Sequence, residues 1–246
     1  LSRFHLAPDA VRGDRVVFDA AATHHLGRVL RAKAGAVVQA VDASGQLLSV
    51  RLTAIAPRRA EGVVVERAAL ATESPLDLTL AQAIPKGDRM EHVVRMVTEL
   101  GVTRVVPLLT ERTVVRLEPG RSESRRARWQ RVAREAAQQS GRATVPEIAA
   151  PQRLSTWGPE ACAAGLVICF WEEERRPLDS ILPAGPCTRA AVVVGPEGGL
   201  TAEEVHGLTD AGARAASLGP RLLRTDTAGA VAVALLQARY GDLGRA

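Results

Sequence analysis

The segments AVVVGPEGGLTAEEV (Ala191 to Val205) and ASLGPRLLRTDTAGAVAVALL (Ala216 to Leu236) decide how this chain is to be read. Each passes from a short apolar stretch through a tight turn into a helix, an arrangement that lets backbone groups close around a small ligand. In the first segment Val192, Val193 and Val194 form a β-branched run suited to a buried strand. Gly195 and Pro196 end it: glycine permits unusual dihedrals, while proline fixes its own φ and has no N–H to give a ladder. Glu197 falls in the turn. Gly198 and Gly199 carry no Cβ, so a flat ligand can lie directly on the backbone, and Thr201 with Glu204 predicts a capping box opening the next helix. In the second segment Leu218, Gly219 and Pro220 repeat the strand-then-break logic, and LLRTDTA leads into a helix rich in Ala and Val. Two such loops imply a cofactor pocket. No Gly-Lys-Ser/Thr follows the glycines, and neither stretch has Gly-x-Gly-x-x-Gly spacing, which argues against a nucleoside triphosphate or NAD.

Together the two segments resemble the late motifs of the SPOUT superfamily of methyltransferases, where they form part of a trefoil knot that binds S-adenosylmethionine. Within it they are most similar to the RsmE family, which methylates N3 of a uridine in 16S ribosomal RNA. That family's hallmark is a GPEGG loop followed by LG-x-R-x-LR-x-E-TA. This chain reads LGPRLLRTDTA, with Asp226 where the family usually has Glu, the same charge on a side chain one methylene shorter. The resemblance runs along nearly the whole chain. HHLGRVLRAKAG (His24 to Gly35) is similar to the early signature. KGDRMEHVVRMVTELGV (Lys86 to Val102) and ERTVV (Glu111 to Val115) resemble the middle one, and RWQRVAREAAQQSGR (Arg128 to Arg142) the segment after it.

The 246 residues suit one large or two modest domains. No stretch of about eighteen apolar residues occurs, and the opening Leu1-Ser2-Arg3-Phe4-His5 has no apolar h-region, so neither a membrane span nor a signal peptide is indicated. Cys162, Cys169 and Cys187 show no CxxC spacing and are odd in number, against both a zinc site and a disulfide framework; a reducing cytosol follows. The net charge of +5 and pI near 9.8 favour a polyanionic partner. Arginine supplies nearly all the positive charge, with Lys only at Lys33 and Lys86, and its guanidinium both forks onto phosphate and stacks on bases. At 3% aromatic residues, a stacking platform for single strands is not expected to dominate binding.

From Val16 to Arg67, short apolar alternations are punctuated by turns, with Asp42-Ala43-Ser44-Gly45 as a hairpin signal and only His24 to Arg31 reading as helix. This predicts a small β-barrel. By the resemblance it is a PUA-like RNA-binding domain, residues 1–71. The polar stretch Ala71 to Pro75 reads as a linker. Residues 76–246 alternate strands and helices, an α/β pattern predicting a parallel sheet covered by helices. The knot of this second, SPOUT domain is implied by the resemblance alone, since periodicity cannot reveal a knot.

Methyl transfer from a sulfonium is an in-line displacement, so the protein must align donor and acceptor and stabilise charge. Uracil N3 attacks poorly while protonated, which calls for a base or for groups that stabilise the imide anion. Arg224 is the candidate stabiliser; the alternative is a structural Arg paired with Asp226 or Glu197. Glu197 or Asp226 is the candidate proton acceptor, or else orders the loop. Donor contacts fall on the two loops: Gly195, Glu197, Gly198, Gly199, Leu218, Gly219, Leu223, Arg224, Thr225, Thr227 and Ala228. The resemblance adds a third loop, Phe170, Trp171 and Glu172, of which Trp171 also reads as core. Arg125, Arg128 and Arg131 lie near one helix face and read either as a solvated face or as a phosphate-binding stripe, which Arg28, Arg31 and Lys33 extend. His24 and His25 lack further ligands at metal spacing and read as packing and capping residues; no metal is expected. The resemblance implies 16S rRNA in a small-subunit particle as substrate and a homodimer packed through late helices, for which the small residues of Ala228 to Leu236 allow close approach. The rivals are another SPOUT activity, on a ribose 2′-O or a tRNA base, and a non-catalytic RNA-binding protein. Donor binding separates the last from the others.

Overall fold

The computed structural model describes residues 3–115 and 119–245, so Leu1, Ser2 and Ala246, at the outer ends of the two predicted domains, lie outside the described residues. The chain forms two compact units, Leu1–Glu73 with Ala137–Val145, and Ser74–Ala136 with Pro146–Ala246. The first unit is thus discontinuous in sequence.

In the first unit β1 (Arg3–His5), β2 (Val11–Arg12), β3 (Arg15–Phe18), β4 (Val37–Val41), β5 (Leu47–Ala56) and β6 (Arg59–Ala68) form a sheet of order β1-β4-β5-β6-β3-β2. Every pair is antiparallel except β1 with β4. The β4–β5 hairpin turns as the Asp-Ala-Ser-Gly run implies: the Asp42 carboxylate accepts the N–H groups of Ser44 at 2.9 Å and Gln46 at 3.0 Å, and Gly45 takes a φ of 81°. Phe4, Val16, Phe18, Leu26, Leu48, Val50 and Leu52 are buried together, with Phe4 and Phe18 meeting edge to face at 5.8 Å. The predicted barrel is a curled half-barrel. Among the described residues its edge strands β1 and β2, three and two residues long, pair with no further strand, and such short edges leave little ladder with which to close.

The helix of this unit starts at Ala20 rather than His24. Asp19 caps α1 (Ala20–His24) by accepting the Ala22 N–H at 2.7 Å, and an alanine run with no periodicity hid that start. A π-helical turn, His25–Val29, follows, and the chain leaves through Arg31 at φ 49°, a left-handed conformation uncommon outside glycine. His25 packs edge-on against Phe4 at 5.5 Å.

The second unit holds β7 (Asp77–Ala83), α2 (Arg89–Glu99), β8 (Arg104–Leu109), most of α3 (Pro119–Ser140), β9 (Glu147–Ile148), β10 (Gln152–Arg153), α4 (Leu154–Ala164), β11 (Leu166–Phe170), α5 (Leu178–Ile181), β12 (Arg189–Val194), α6 (Ala202–Asp210), β13 (Arg214–Ala216) and α7 (Thr225–Tyr240). All its ladders are parallel, in the order β10-β8-β7-β12-β11-β13 with β9 beside β8. Helices cover both faces: α7 packs on α2, β7 and β12, while α4 and α6 pack on each other and on β11 and β13. Strands buried on both sides read as near-continuous apolar runs, as β12 does. Helix α4 was not anticipated, because Gly158-Pro159 in its middle reads as a break. Gly158 is needed there; a Cβ would lie 2.5 Å from Leu208 Cδ2 of α6.

Two sequence expectations change. The predicted linker is anchored: the Glu73 carboxylate pairs with buried Arg142 at 2.6 Å, and Ser74 Oγ donates to Gln237 Oε1 at 2.6 Å. The small-residue face of α7 is already occupied within its own unit, since Ala228, Gly229, Ala232, Val233 and Leu236 are all buried. The outward side of α7 carries Leu235, 40% exposed.

Candidate functional site

Strands β12, β11 and β13 lie side by side, so the loops leaving their carboxyl ends gather at one edge of the sheet, where open α/β folds bind ligands. Between those loops lies a cleft of about 590 Å³, within the range of about 300–1,000 Å³ common for small-molecule sites. Its walls come from residues 170–172 and Arg175 after β11, 194–199 at the end of β12, 217–224 after β13, Thr225 and Ala228 of α7, and Arg89 at the start of α2.

The loop after β12 is held from several sides. Gly199 adopts φ +72° and its N–H donates to Pro196 O at 2.9 Å, a turn that suits glycine. A Cβ on Gly199 would run into the Glu172 carboxylate, so this glycine lets the loop after β11 lie directly on the loop after β12. The predicted capping box is present: Thr201 Oγ1 accepts the Glu204 N–H at 3.2 Å, and Glu204 Oε2 accepts the Thr201 N–H at 3.0 Å. Glu197 Oε1 accepts the Lys86 N–H at 2.9 Å and lies 3.6 Å from Arg89 Nη1. Thr225 Oγ1 donates to Gly195 O at 2.5 Å and accepts from Gln82 Nε2 at 2.8 Å, which ties the start of α7 to the end of β12 and to β7.

The loop after β13 is more open. Gly219 takes φ +108°, its N–H donates to Ser217 Oγ at 3.1 Å, and Leu222 stands 84% exposed. Arg224 forms the N-cap position of α7 with an exposed side chain and, among the described residues, makes no ion pair with Asp226 or Glu197.

Of the predicted donor-contact residues, Phe170, Trp171, Glu172, Gly195, Glu197, Gly198, Gly199, Leu218, Gly219, Leu223, Arg224, Thr225 and Ala228 all line the cleft. Thr227 and the candidate proton acceptor Asp226 do not, because successive residues of a helix face different directions and Thr225 and Ala228 take the inward positions. Asp226 instead accepts the Thr227 N–H at 3.1 Å. Sequence reasoning missed Arg89, a lining residue contributed by a distant helix, and Arg112, which donates to Gly198 O at 2.7 Å.

The predicted RNA contacts divide. Arg28, Arg31 and Lys33 are exposed on the π-helical turn and the loop after it. Arg125 and Arg131 are exposed on α3, Arg131 facing Glu135 at 3.9 Å, whereas Arg128 is engaged by Glu91 at 2.7 Å. Among the described residues no group of three or more His, Cys, Asp or Glu is placed to hold a metal, and no helix is long and apolar enough to cross a membrane.

Two family models match this chain, one in each part of the sequence. Residues 72–237 match the RNA methyltransferase domain family, and residues 18–65 match the RNA methyltransferase PUA domain family. Ribosomal RNA small subunit methyltransferase E of Synechocystis sp. is 36% identical over 242 residues, spanning 96% of this chain and 77% of that protein. The crystal structure of a ribosomal RNA small subunit methyltransferase E from Neisseria gonorrhoeae, bound to S-adenosyl methionine, aligns with a TM-score of 0.89 at 32% identity over 98% of this chain and 99% of that one. A Legionella pneumophila protein solved in complex with the bound cofactor SAM aligns with a TM-score of 0.90 at 30% identity, covering 98% of both chains. By sequence over nearly its full length and by fold, this chain belongs to the ribosomal RNA small subunit methyltransferase E family.

Proposed function

We propose that this protein transfers a methyl group from S-adenosylmethionine to N3 of a uridine in 16S ribosomal RNA. The observation that carries the reading is the meeting of three loops: Gly199 has space for no side chain because Glu172 lies against it, and residues of three adjacent loops line the cleft. Such a site fits the donor. Backbone groups of Gly195, Gly198, Gly199, Leu218, Gly219 and Leu223 would hold the adenosine and methionine parts, and the Glu172 carboxylate would accept hydrogen bonds from hydroxyl or ammonium groups. When bound, the donor supplies an electrophilic methyl on a sulfonium.

The chain itself has to place the uracil in line and make N3 nucleophilic. An exposed guanidinium at the cleft is suited to stabilise negative charge on the imide oxygens as N3 loses its proton, and Arg224 is so placed. Glu197 already engages Lys86 through Oε1 and Asp226 lies off the cleft, which favours Arg224 over either carboxylate as the main chemical contributor. Exposed Arg28, Arg31 and Lys33 of the first unit and Arg125 and Arg131 of α3 suit phosphate contact, in keeping with residues 1–71 as RNA-binding domain and 76–246 as the catalytic domain. The trefoil knot belongs to this reading, supported by the return of α7 from β13 to β7 and β12. So do a homodimer through the outward side of α7, a small-subunit particle as substrate, and a cytosolic setting.

Mass mapping of methylated nucleosides in 16S rRNA from cells with and without the protein tests the proposal. A uridine that carries N3-methyl only when the protein is present supports it. Methylation of a ribose or a tRNA base instead replaces the substrate, and a purified protein that binds no S-adenosylmethionine leaves RNA binding alone.

A further inference from the structure

The first residues of the ERTVV stretch lean on the loop after β12. After β8, Thr110 and Thr113 close a tight turn: the Thr110 N–H donates to Thr113 Oγ1 at 3.0 Å and the Thr113 N–H to Thr110 O at 3.1 Å. The turn presents two groups to the segment after β12. The Glu111 N–H donates to Glu204 Oε1 at 2.8 Å, the oxygen that the capping box leaves over. Arg112 Nη1 donates to Gly198 O at 2.7 Å and reaches Leu200 O at 3.5 Å. The Arg112 methylenes pass 3.4 to 3.5 Å from where a Gly198 Cβ would stand, so the side chain lies along the glycine.

These bonds bear on one peptide plane. The unit between Gly198 and Gly199 has its carbonyl held by Arg112 and its N–H held by Pro196 O at 2.9 Å. A plane flanked by two glycines is the freest to rotate in any loop, because neither neighbour's Cβ opposes it. Rotation here would break both bonds and turn the Gly198 carbonyl toward Pro196 O. We propose that Arg112 is a positioning residue of the donor loop: its guanidinium locks the Gly198–Gly199 peptide in the orientation that receives the donor. The inference rests on the cleft being the donor site. Without the lock the loop samples other orientations, and the donor must select the competent one, which weakens its apparent affinity.

An exposed Arg in an RNA methyltransferase invites the alternative of a phosphate contact, and the two roles separate by readout. Donor affinity is measured by calorimetry for wild type, Arg112→Ala and Arg112→Lys, together with hydrogen exchange of the Gly199 amide in the donor-free proteins and KM for RNA at saturating donor. Arg112→Ala should raise the donor Kd about tenfold and speed exchange at Gly199, leaving the RNA KM within about twofold. Arg112→Lys, which can reach one carbonyl but cannot fork, should fall between. Unchanged donor affinity and unchanged Gly199 exchange in Arg112→Ala, beside a wild type that binds donor, overturn the inference and leave the donor site standing. A raised RNA KM that Lys restores in full, with donor affinity intact, makes Arg112 an RNA contact. A wild type that binds no donor overturns the site and this inference together.

Discussion

Gln82 and Thr225, at opposite ends of the catalytic unit's sequence, share a buried hydrogen bond: Gln82 Nε2 donates to Thr225 Oγ1 at 2.8 Å. The Thr225 hydroxyl in turn donates to Gly195 O at 2.5 Å, so one chain of hydrogen bonds fixes the start of α7 against β7 and the end of β12. Thr225→Val keeps the shape but removes both bonds. Leaving the Gly195 carbonyl without its hydroxyl and Gln82 Nε2 with only its longer bond to Ala83 O at 3.3 Å should destabilise the protein by about 1–3 kcal/mol, read from urea unfolding, with weaker donor binding alongside. Equal stability of Thr225→Val and wild type would contradict this account.

Gly199→Ala should weaken donor binding by more than about tenfold. The left-handed φ of +72° alone disfavours Ala by about 1–2 kcal/mol, and the new Cβ meets the Glu172 carboxylate. The obstacle is thus a neighbouring loop. Adding Glu172→Ala relieves the clash but not the backbone strain, so the double variant should recover little. Calorimetry with S-adenosylmethionine decides, and unchanged affinity in the single variant removes the glycine loop from the pocket.

Arg224→Ala should lower the single-turnover methylation rate by about a hundredfold with donor affinity changed far less, because a group that stabilises charge on the uracil acts chiefly in the transition state. Arg224→Lys should recover part of the rate, a point charge being a poor copy of a fork. Near-normal rates in Arg224→Ala at saturating RNA and donor would end its catalytic assignment.

Glu73 and Arg142 make the first unit's stability depend on pH. Burial raises the Glu73 carboxyl, but hydrogen bonds from Arg142, Thr144 and the Ala143 N–H together with the Arg142 charge outweigh it and hold the group below its ordinary 4.5. A depressed carboxyl contributes fully above the unfolded value and loses that contribution as pH falls through the folded one. Wild type should therefore lose stability below about pH 4.5, and Glu73→Gln should lose less over that range, its remaining acid dependence coming from other carboxyls held low, such as Asp42. At pH 7, Glu73→Gln should be less stable by about 3 kcal/mol, because Arg142 keeps a buried charge. A parallel pH dependence in variant and wild type would show that other groups govern it. The same pair means that a fragment ending at Ala71 lacks both Glu73 and its partner, so RNA binding is best measured on the whole chain.

The local features were legible in the sequence. A capping box needs partners three residues apart, a turn at positive φ asks for glycine, and a parallel sheet covered on both faces imposes continuous apolar runs; Thr201 with Glu204, Gly199 with Gly219, and β12 each declared themselves in this way. The motifs also pointed to the three loops that meet at the cleft. Only the tertiary structure could decide which distant groups those loops lean on. Glu73 meets Arg142 across 69 positions, Arg112 meets Gly198 across 86, and Gln82 meets Thr225 across 143. No local pattern encodes such a pairing, because many arginines or hydroxyls along the chain satisfy the same chemistry until the sheet order brings one of them within reach. The same reason separates Thr225 and Ala228 from Asp226 and Thr227: the motif names four neighbours, and the packing of α7 against its own sheet chooses the two that face the site.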